Sequence, residues 1–308
     1  MILCLGTTPV YQRSMTFDRV KLDGVNRARH VSDYASGKSP NVTRVLHTLR
    51  LDVLATGFVG GPRGEQFLKD LDAAGIRHDF VRVKPQTRQC VTVIDRAAGI
   101  ATELVEESQP VESEGWDALE AKLKTLLPGA SQWIFSGTLP PHAPQDFYAK
   151  WLPLAKSTGA TVILDARGEP LELALKHGNA IYKLNRDEFA ETLRADLSDD
   201  SRLIDAIRHH TPAGGKLIIT LGASGALGSD GQSCWRVFSP RVEAVSAVGS
   251  GDSFAAGLAA GLSQGKDLSG SLRLAAACGA ANALTPYAGH LNREDVDRLL
   301  SEAKVERV

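Results

Sequence analysis

Cysteine, excess charge and long apolar runs are all scarce in this sequence, and each absence argues against a class of protein. The 308 residues include only four cysteines, widely separated, so neither a disulfide framework nor a zinc motif is expected. The 35 basic and 36 acidic residues leave a net charge of −1, which gives no electrostatic reason to bind nucleic acid or an anionic membrane. No apolar stretch is long enough to span a bilayer, and the first residues lack a signal-peptide pattern. The composition predicts a soluble, cytoplasmic protein.

Apolar segments of strand length and of helix length alternate from about residue 116 onward. Short apolar runs such as Trp133–Ser136 and Thr161–Asp165 are separated by segments with helical spacing. This alternation predicts an α/β fold with a mostly parallel sheet covered by helices on both faces. The length suits one large domain, or a domain with a small appendage.

Two early stretches do not follow this rhythm. Residues 8–36 and 87–106 mix polar and apolar residues in near-alternating runs around turns, which is typical of exposed hairpins. We therefore expect them to form a small sheet outside the main one.

A glycine-rich turn is the strongest local signal. The β-branched run Val242–Val248 predicts a strand, Gly249-Ser250-Gly251 a turn, and the small residues from Asp252 onward a helix. Backbone N–H groups would converge there at the positive end of a helix dipole, which favours an anion. A carboxylate beside an anion site is expected only if it handles a proton. The alternative is an ordinary structural helix cap.

Polar residues also follow other predicted strands. Because the carboxyl ends of parallel strands form the ligand-binding edge of an open α/β sheet, we expect these residues to lie near the turn. The polar residues are Ser136, Asp165, Lys183, Asn185, Glu188 and Thr220, and the glycines of the same strand ends are Gly222 and Gly225.

These motifs together resemble the ribokinase-like (PfkB) carbohydrate kinases, and most of all the 1-phosphofructokinase and tagatose-6-phosphate kinase branch. Gly249–Asp252 is similar to the family's GAGD element, Asn185–Glu188 to NxxE, and Thr220–Gly225 to the nucleotide-side glycine loop. Gly37-Lys38 with Asn41 resembles GGKGxN. The resemblance is collinear from about Leu5 to Leu291. It implies a single kinase domain over residues 1–308, with a three-layer α/β/α fold and a β-sheet lid from the two early stretches.

The resemblance implies transfer of the γ-phosphoryl group of ATP to a hydroxyl of a sugar or sugar phosphate. Asp252 would take the hydroxyl proton, and the backbone N–H groups of Ser250, Gly251 and Asp252, in the turn that begins at Gly249, would stabilise the developing charge. Glu188 and Asn185 would position Mg²⁺, largely through water. The expected ATP contacts are Lys183, Asn185, Thr220, Gly222, Gly225 and Asn282. For Lys183, a solvated lysine at a strand end is the alternative.

The acceptor side follows from the same resemblance. Arg27 and Arg88 would come from the lid, which in this family also makes the dimer contact, so a homodimer is expected. Two arginines favour a phosphorylated hexose, such as fructose 1-phosphate or tagatose 6-phosphate. The acceptor residues implied are Gln12, Arg27, Gly37, Lys38, Asn41, Arg88, Ser136 and Asp252.

The departures from the family pattern all fall on this acceptor side. Gln12 replaces a carboxylate, Ser39-Pro40 alters the GGKGxN element, and Cys90 and Thr92 replace Asn and Lys. The acceptor therefore stays open: a non-phosphorylated sugar or nucleoside kinase, or an idle relative that only binds sugar and nucleotide, are alternatives. The glycine cluster Gly57–Gly61 suggests a dinucleotide-dependent oxidoreductase as a further alternative. The cluster lacks the GxGxxG spacing of a dinucleotide-binding site, which argues against that function.

Overall fold

A computed structural model describes all 308 residues. Fourteen strands and ten α-helices make up the chain. The strands are β1 (Ile2–Gly6), β2 (Val10–Phe17), β3 (His30–Ser36), β4 (Val53–Val59), β5 (Val81–Arg82), β6 (Arg88–Asp95), β7 (Ile100–Val105), β8 (Gln132–Ser136), β9 (Thr161–Asp165), β10 (Ile181–Asn185), β11 (Lys216–Thr220), β12 (Ala226–Ser229), β13 (Cys234–Phe238) and β14 (Lys304–Arg307). The helices are α1 (Lys38–Thr48), α2 (Gly61–Ala73), α3 (Ser113–Leu126), α4 (Phe147–Thr158), α5 (Glu169–Leu175), α6 (Arg186–Leu193), α7 (Asp200–His210), α8 (Ser250–Ser263), α9 (Leu268–Ala283) and α10 (Arg293–Glu302).

The main sheet has ten strands in the order β14-β13-β12-β11-β10-β9-β8-β1-β4-β5. From β11 to β5 every pairing is parallel, and β12, β13 and β14 extend the sheet through antiparallel pairings. Two apolar clusters, of 34 and 30 buried residues, lie on opposite faces and join the sheet to its helices. The three-layer, mostly parallel α/β fold expected from the alternation is confirmed.

A second sheet, in the order β3-β2-β6-β7, is formed by the two early stretches, as the sequence predicts. One face carries the buried side chains of Gln12, Ser14 and Thr92. The other face exposes apolar side chains, including Ile100 and Leu104. We refer to these four strands and the loop between β2 and β3 as the small sheet.

The turn before α8 corrects one expectation. Residues 241–248 form no strand; the N–H groups of Val245 and Ser246 donate to the carbonyl of Ala283, at the end of α9, instead of joining the sheet. Val245 is about half exposed, so its β-branched side chain is not packed within a sheet. The helix also begins at Ser250 and not at Asp252. None of the ten helices combines the length and apolar character needed to cross a membrane.

Candidate active site

The site lies at the carboxyl edge of the main sheet, where β8 to β11 end and where α1 and α8 begin. Parallel strands bring Ser136, Asp165, Asn185 and Thr220 to this edge in neighbouring register. The first turns of α1 and α8 meet here, because the two helices pack on the same face of the sheet. The polar residues predicted at separate strand ends therefore share one cleft.

The turn that starts α8 leaves two backbone donors free. Gly249 has φ 82°, and a Cβ there would lie 2.6 Å from the Cα of Ala288, so only glycine fits. The N–H of Ser250 donates to the carbonyl of Ala247 at 3.1 Å, whereas those of Gly251 and Asp252 have no acceptor within the chain. The anion hole thus has two free donors, and Ser250 is not the third that the resemblance implies.

Asp252 stands at the mouth of this turn. Its Oδ2 accepts a hydrogen bond of 2.7 Å from Nδ2 of Asn41. Burial raises the pKa of Asp252 to about 6, against the opposing effects of the Lys38 ammonium and of the hydrogen bond from Asn41. A carboxylate with that pKa is ionised at neutral pH yet basic enough to accept a proton.

Two lysines share one buried carboxylate beside Asp252. Lys38 Nζ donates to Asp165 Oδ1 at 2.5 Å, and Lys183 Nζ donates to Asp165 Oδ2 at 2.6 Å. Burial alone would raise the pKa of Asp165, but the two ammonium groups hold it below its usual range. Lys183 has only 5% of its side chain exposed, so the solvated-lysine interpretation is wrong.

The ammonium group of Lys183 also points towards the turn: it lies 3.8 Å from the position that a Cβ on Gly251 would take. Two cations and one bridging anion leave a net positive charge next to the free N–H groups of α8. Such a place stabilises negative charge on a transferring phosphoryl group.

Asn185 and Glu188 form a capping box at the start of α6. The Asn185 side chain accepts from the N–H of Glu188 at 2.8 Å, and the Glu188 carboxylate accepts from the N–H of Asn185 at 2.9 Å. Oε1 of Glu188 has no hydrogen-bond partner within the chain, and its charge is one of those that favour the protonated form of Lys38 and raise the pKa of that lysine. One free carboxylate oxygen suits Mg²⁺, which keeps most of its water. The Asn185 oxygen is already used by the cap.

The nucleotide-side loop follows β11. The hydroxyl of Thr220 donates to the carbonyl of Leu184 at 3.2 Å. Gly225 has φ 95°, and a Cβ there would lie 2.0 Å from the carbonyl oxygen of Val237, so the loop requires glycine. A cavity of about 330 Å³ opens beside the loop, between Asn185, Thr220 and Gly222. The cavity is also lined by four charged residues that sequence reasoning missed, namely Arg186, Asp187, Asp200 and Arg236.

The structure does not bring Asn282 to the cleft surface. Its side chain is fully buried, and its oxygen accepts from the hydroxyl of Ser253 at 3.0 Å and from the N–H of Gly289 at 2.8 Å. Its amide N–H group donates to the carbonyl of Val248 at 2.9 Å. Asn282 therefore supports the turn from behind and has no free group for a nucleotide.

On the acceptor side, two of the unusual residues contact each other. Nε2 of Gln12 donates to Oγ1 of Thr92 at 2.9 Å, and both side chains are buried. Neither residue alone signals this pairing; the parallel register of β2 and β6 creates it. The pair gives the small sheet a neutral, hydrogen-bonding inner face.

The remaining candidate acceptor residues lie in different surroundings. Gly37 caps α1 through its backbone, with φ 104°, and Ser136 is buried with its hydroxyl unpaired. Arg88 donates to the carbonyls of Thr8 and Glu106, each at 3.3 Å. Arg27 lies on the exposed loop between β2 and β3 and forms no hydrogen bond or ion pair within the chain.

The comparisons with known proteins cover nearly the whole chain. The model of the pfkB family of carbohydrate kinases matches residues 1–295. A tagatose-6-phosphate kinase of Staphylococcus epidermidis is 32% identical over 309 aligned residues, which cover 99% of each chain. Phosphofructokinase-2 of Escherichia coli, solved with substrates and products, superposes with a TM-score of 0.90 at 25% identity, over 98% of each chain.

Proposed function

The chain belongs to the pfkB family of carbohydrate kinases, and on that basis we propose that it transfers the γ-phosphoryl group of ATP to a hydroxyl of a hexose phosphate. An ATP-dependent carbohydrate kinase follows from the family; the phosphorylated acceptor is the proposal. One observation carries it: the Asp252 carboxylate stands beside two free backbone N–H groups and two lysines that share the buried Asp165 carboxylate.

Each group has a role in the proposed reaction. The oxygen of the acceptor hydroxyl attacks the γ-phosphorus of ATP, and Asp252 accepts the proton that this hydroxyl loses. The bond between the γ-phosphorus and the oxygen bridging to the β-phosphate breaks, and ADP leaves. The N–H groups of Gly251 and Asp252, with the ammonium of Lys183, stabilise the charge on the transferred group. Lys38, on the other oxygen of Asp165, orients the acceptor and the phosphoryl group. Glu188 would hold Mg²⁺, mainly through water, and the bound ion supplies charge neutralisation on the ATP phosphates.

The acceptor is proposed from charge and from the relatives. Arg88 presents a guanidinium at the start of β6, and its Nε has no hydrogen-bond partner, which suits a phosphate oxygen. The similar proteins are named as kinases of tagatose 6-phosphate and of a fructose phosphate. We therefore favour a hexose phosphate, such as tagatose 6-phosphate or fructose 1-phosphate, in the cytoplasm.

A specific observation supports a second candidate. The Gln12–Thr92 pair is neutral and can hydrogen-bond a hydroxyl on either side. A non-phosphorylated sugar or a nucleoside would fit such a surface without needing a second cation.

A homodimer through the small sheet completes the proposal. Leu22 is 93% and Val25 is 81% exposed, and Val31, Ile100 and Leu104 are each more than half exposed on the same sheet. Apolar area of this kind is stabilised by burial against a second copy. Arg27 lies in the same loop and would then be placed near the partner. A tetrameric form of the Escherichia coli relative has been solved, so assembly beyond a dimer is an outcome to test.

A panel assay tests the function. Purified protein with Mg-ATP is offered free and phosphorylated hexoses, pentoses and nucleosides, and ADP release is measured. We expect turnover with a hexose phosphate, and a loss of about 10²–10⁴-fold in Asp252→Asn with ATP binding retained. Turnover only with unphosphorylated acceptors would select the second candidate. Binding without turnover across the panel would indicate an idle relative, and near-normal turnover of Asp252→Asn would refute the assignment of the base.

A further inference from the structure

The segment between α9 and α10, residues 284–292, lies directly behind the turn that starts α8, and we call it the rear loop. A Cβ on Gly249 would lie 2.6 Å from the Cα of Ala288 and 2.7 Å from the backbone nitrogen of Gly289. The N–H of Gly289 donates to the side chain of Asn282 at 2.8 Å, and Asn282 donates to the carbonyl of the residue before Gly249 at 2.9 Å. The position of the turn therefore depends on where the rear loop lies.

Tyr34, on β3 of the small sheet, holds the rear loop. Its hydroxyl accepts a hydrogen bond of 3.1 Å from the N–H of Ala288 and shares another of 3.2 Å with the hydroxyl of Ser14. Both bonds are buried, and that N–H has no other acceptor within the chain. The Tyr34 ring packs edge-on against the rings of Tyr287 and His290, with centroids 5.5 and 5.3 Å away.

We propose that Tyr34 is a positioning residue for phosphoryl transfer: its hydroxyl fixes the rear loop, and the rear loop fixes the turn in which the N–H groups of Gly251 and Asp252 are free. The inference rests on the proposed function, because those two N–H groups are the ones assigned to the transferred phosphoryl group. It adds to the phosphate side of the site a residue from the small sheet.

The place of Tyr34 in the small sheet raises one alternative role. Tyr34 lies directly opposite Gln12 in the pairing of β2 with β3, so the two side chains share one face of the sheet. Gln12 is a candidate acceptor residue, and Tyr34 could therefore act on the acceptor through it. The two roles differ in kinetics: a misplaced turn lowers kcat, whereas a disturbed Gln12 raises KM for the acceptor.

Tyr34→Phe separates the hydroxyl from the ring. The variant keeps the aromatic contacts and leaves the buried N–H of Ala288 without an acceptor, which loosens the rear loop. Two amides report on the turn without touching Tyr34: the N–H of Ser250 donates to the carbonyl of Ala247 at 3.1 Å, and that of Ser253 to the carbonyl of Gly249 at 2.9 Å.

The first experiment is amide hydrogen exchange in the ligand-free protein, resolved by NMR. In Tyr34→Phe, exchange at Ser250 and Ser253 should be about tenfold faster or more. Tyr182→Phe is the matched control. The hydroxyl of Tyr182 is also bonded to the backbone, at the carbonyls of Ala174 (2.8 Å) and Gly178 (3.2 Å), but its ring packs on the opposite face of the main sheet. The control should lower the Tm comparably and leave exchange at the turn unchanged.

Kinetics is the second readout, with whichever acceptor the panel identifies. In Tyr34→Phe, kcat should fall by about 10–10²-fold with KM for ATP and for the acceptor changed by less than about twofold, because donors that are displaced no longer match the transferred group. Tyr182→Phe should keep its kcat.

Unchanged exchange at Ser250 and Ser253 in Tyr34→Phe would overturn the proposal, and so would an unchanged kcat. An unchanged kcat with KM for the acceptor raised about tenfold or more would assign Tyr34 to the acceptor side, through Gln12. If no acceptor is phosphorylated, the proposed function fails, and the exchange experiment still decides whether Tyr34 holds the turn.

Discussion

Replacing Asp165 by asparagine tests the electrostatic centre of the site. The carboxylate is 2% exposed and carries both ammonium groups, with Lys183 almost as buried and Lys38 about one third exposed. Asp165→Asn keeps the shape but leaves two cations in a poorly solvated place with no opposite charge between them.

The expected loss in free energy of unfolding follows from the burial of the ion pairs. Removing one partner of a buried ion pair typically destabilises a protein by about 3–5 kcal/mol. Unfolding entropy of about 2.1 cal/mol/K per residue over 308 residues gives about 0.65 kcal/mol/K. The expected fall in Tm is therefore about 5–8 °C at neutral pH.

The same variant predicts a pH dependence. Because Lys183 and Lys38 hold the pKa of Asp165 below its usual range, its ionisation stabilises the fold above the unfolded pKa of about 3.9. That contribution is lost as the pH falls. The difference in Tm between the unchanged chain and Asp165→Asn should therefore be full near pH 7 and shrink below about pH 4.

Thermal melts followed by circular dichroism measure both effects. Asp200→Asn is the control, since Asp200 also bridges two basic side chains, Arg186 and Arg236, but is half exposed. It should cost less than about 1 kcal/mol. A Tm for Asp165→Asn within about 2 °C of the unchanged chain would refute the view that the two lysines depend on this carboxylate.

Three further outcomes are expected. Asp252→Asn should stabilise the ligand-free protein by about 1–3 kcal/mol near pH 8 but not near pH 4. Burial raises the pKa of Asp252 to about 6, so the ionised carboxylate that is present above this pH opposes folding. Equal gains in the free energy of unfolding at both pH values, measured in urea melts, would contradict this. Glu188→Gln keeps the capping box and the Tm, yet should raise the Mg²⁺ concentration for half-maximal activity by about tenfold or more; an unchanged Mg²⁺ dependence would remove Glu188 from the metal. Leu22→Asp should shift sedimentation towards a monomer with Tm changed by less than about 2 °C; a monomeric unchanged chain would exclude the interface.

Local geometry can be predicted from the sequence where a backbone conformation accepts only one type of residue. Gly249 and Gly225 occupy backbone conformations that only glycine adopts without clash, and both stand in turns that the sequence marks. The predicted strand before α8 was wrong for a related reason. β-branched residues at Val242–Val248 indicate extended backbone, but extended backbone joins a sheet only if a neighbouring strand has free edges, and here the end of α9 takes the hydrogen bonds instead.

The partners of the charged residues were beyond sequence reasoning. The sequence marks Asp165 as a strand-end carboxylate, yet nothing in its neighbourhood indicates that it binds lysines 127 and 18 positions away. The contact between Gln12 and Thr92 spans 80 positions and depends on the register of two strands. Asn282 illustrates the opposite case: the family resemblance implies a contact with the nucleotide, whereas packing buries this side chain behind the turn.

Periodicity and glycine placement by themselves determined the alternating α/β architecture, the separate small sheet and the motif that points to phosphoryl transfer, because each depends on residues close together in the chain. Only the tertiary structure decided which groups meet: the two lysines on Asp165, and Tyr34 on the loop behind Gly249. Those contacts follow from strand order and helix packing, and their energies depend on burial, a property that a residue acquires only from the fold around it.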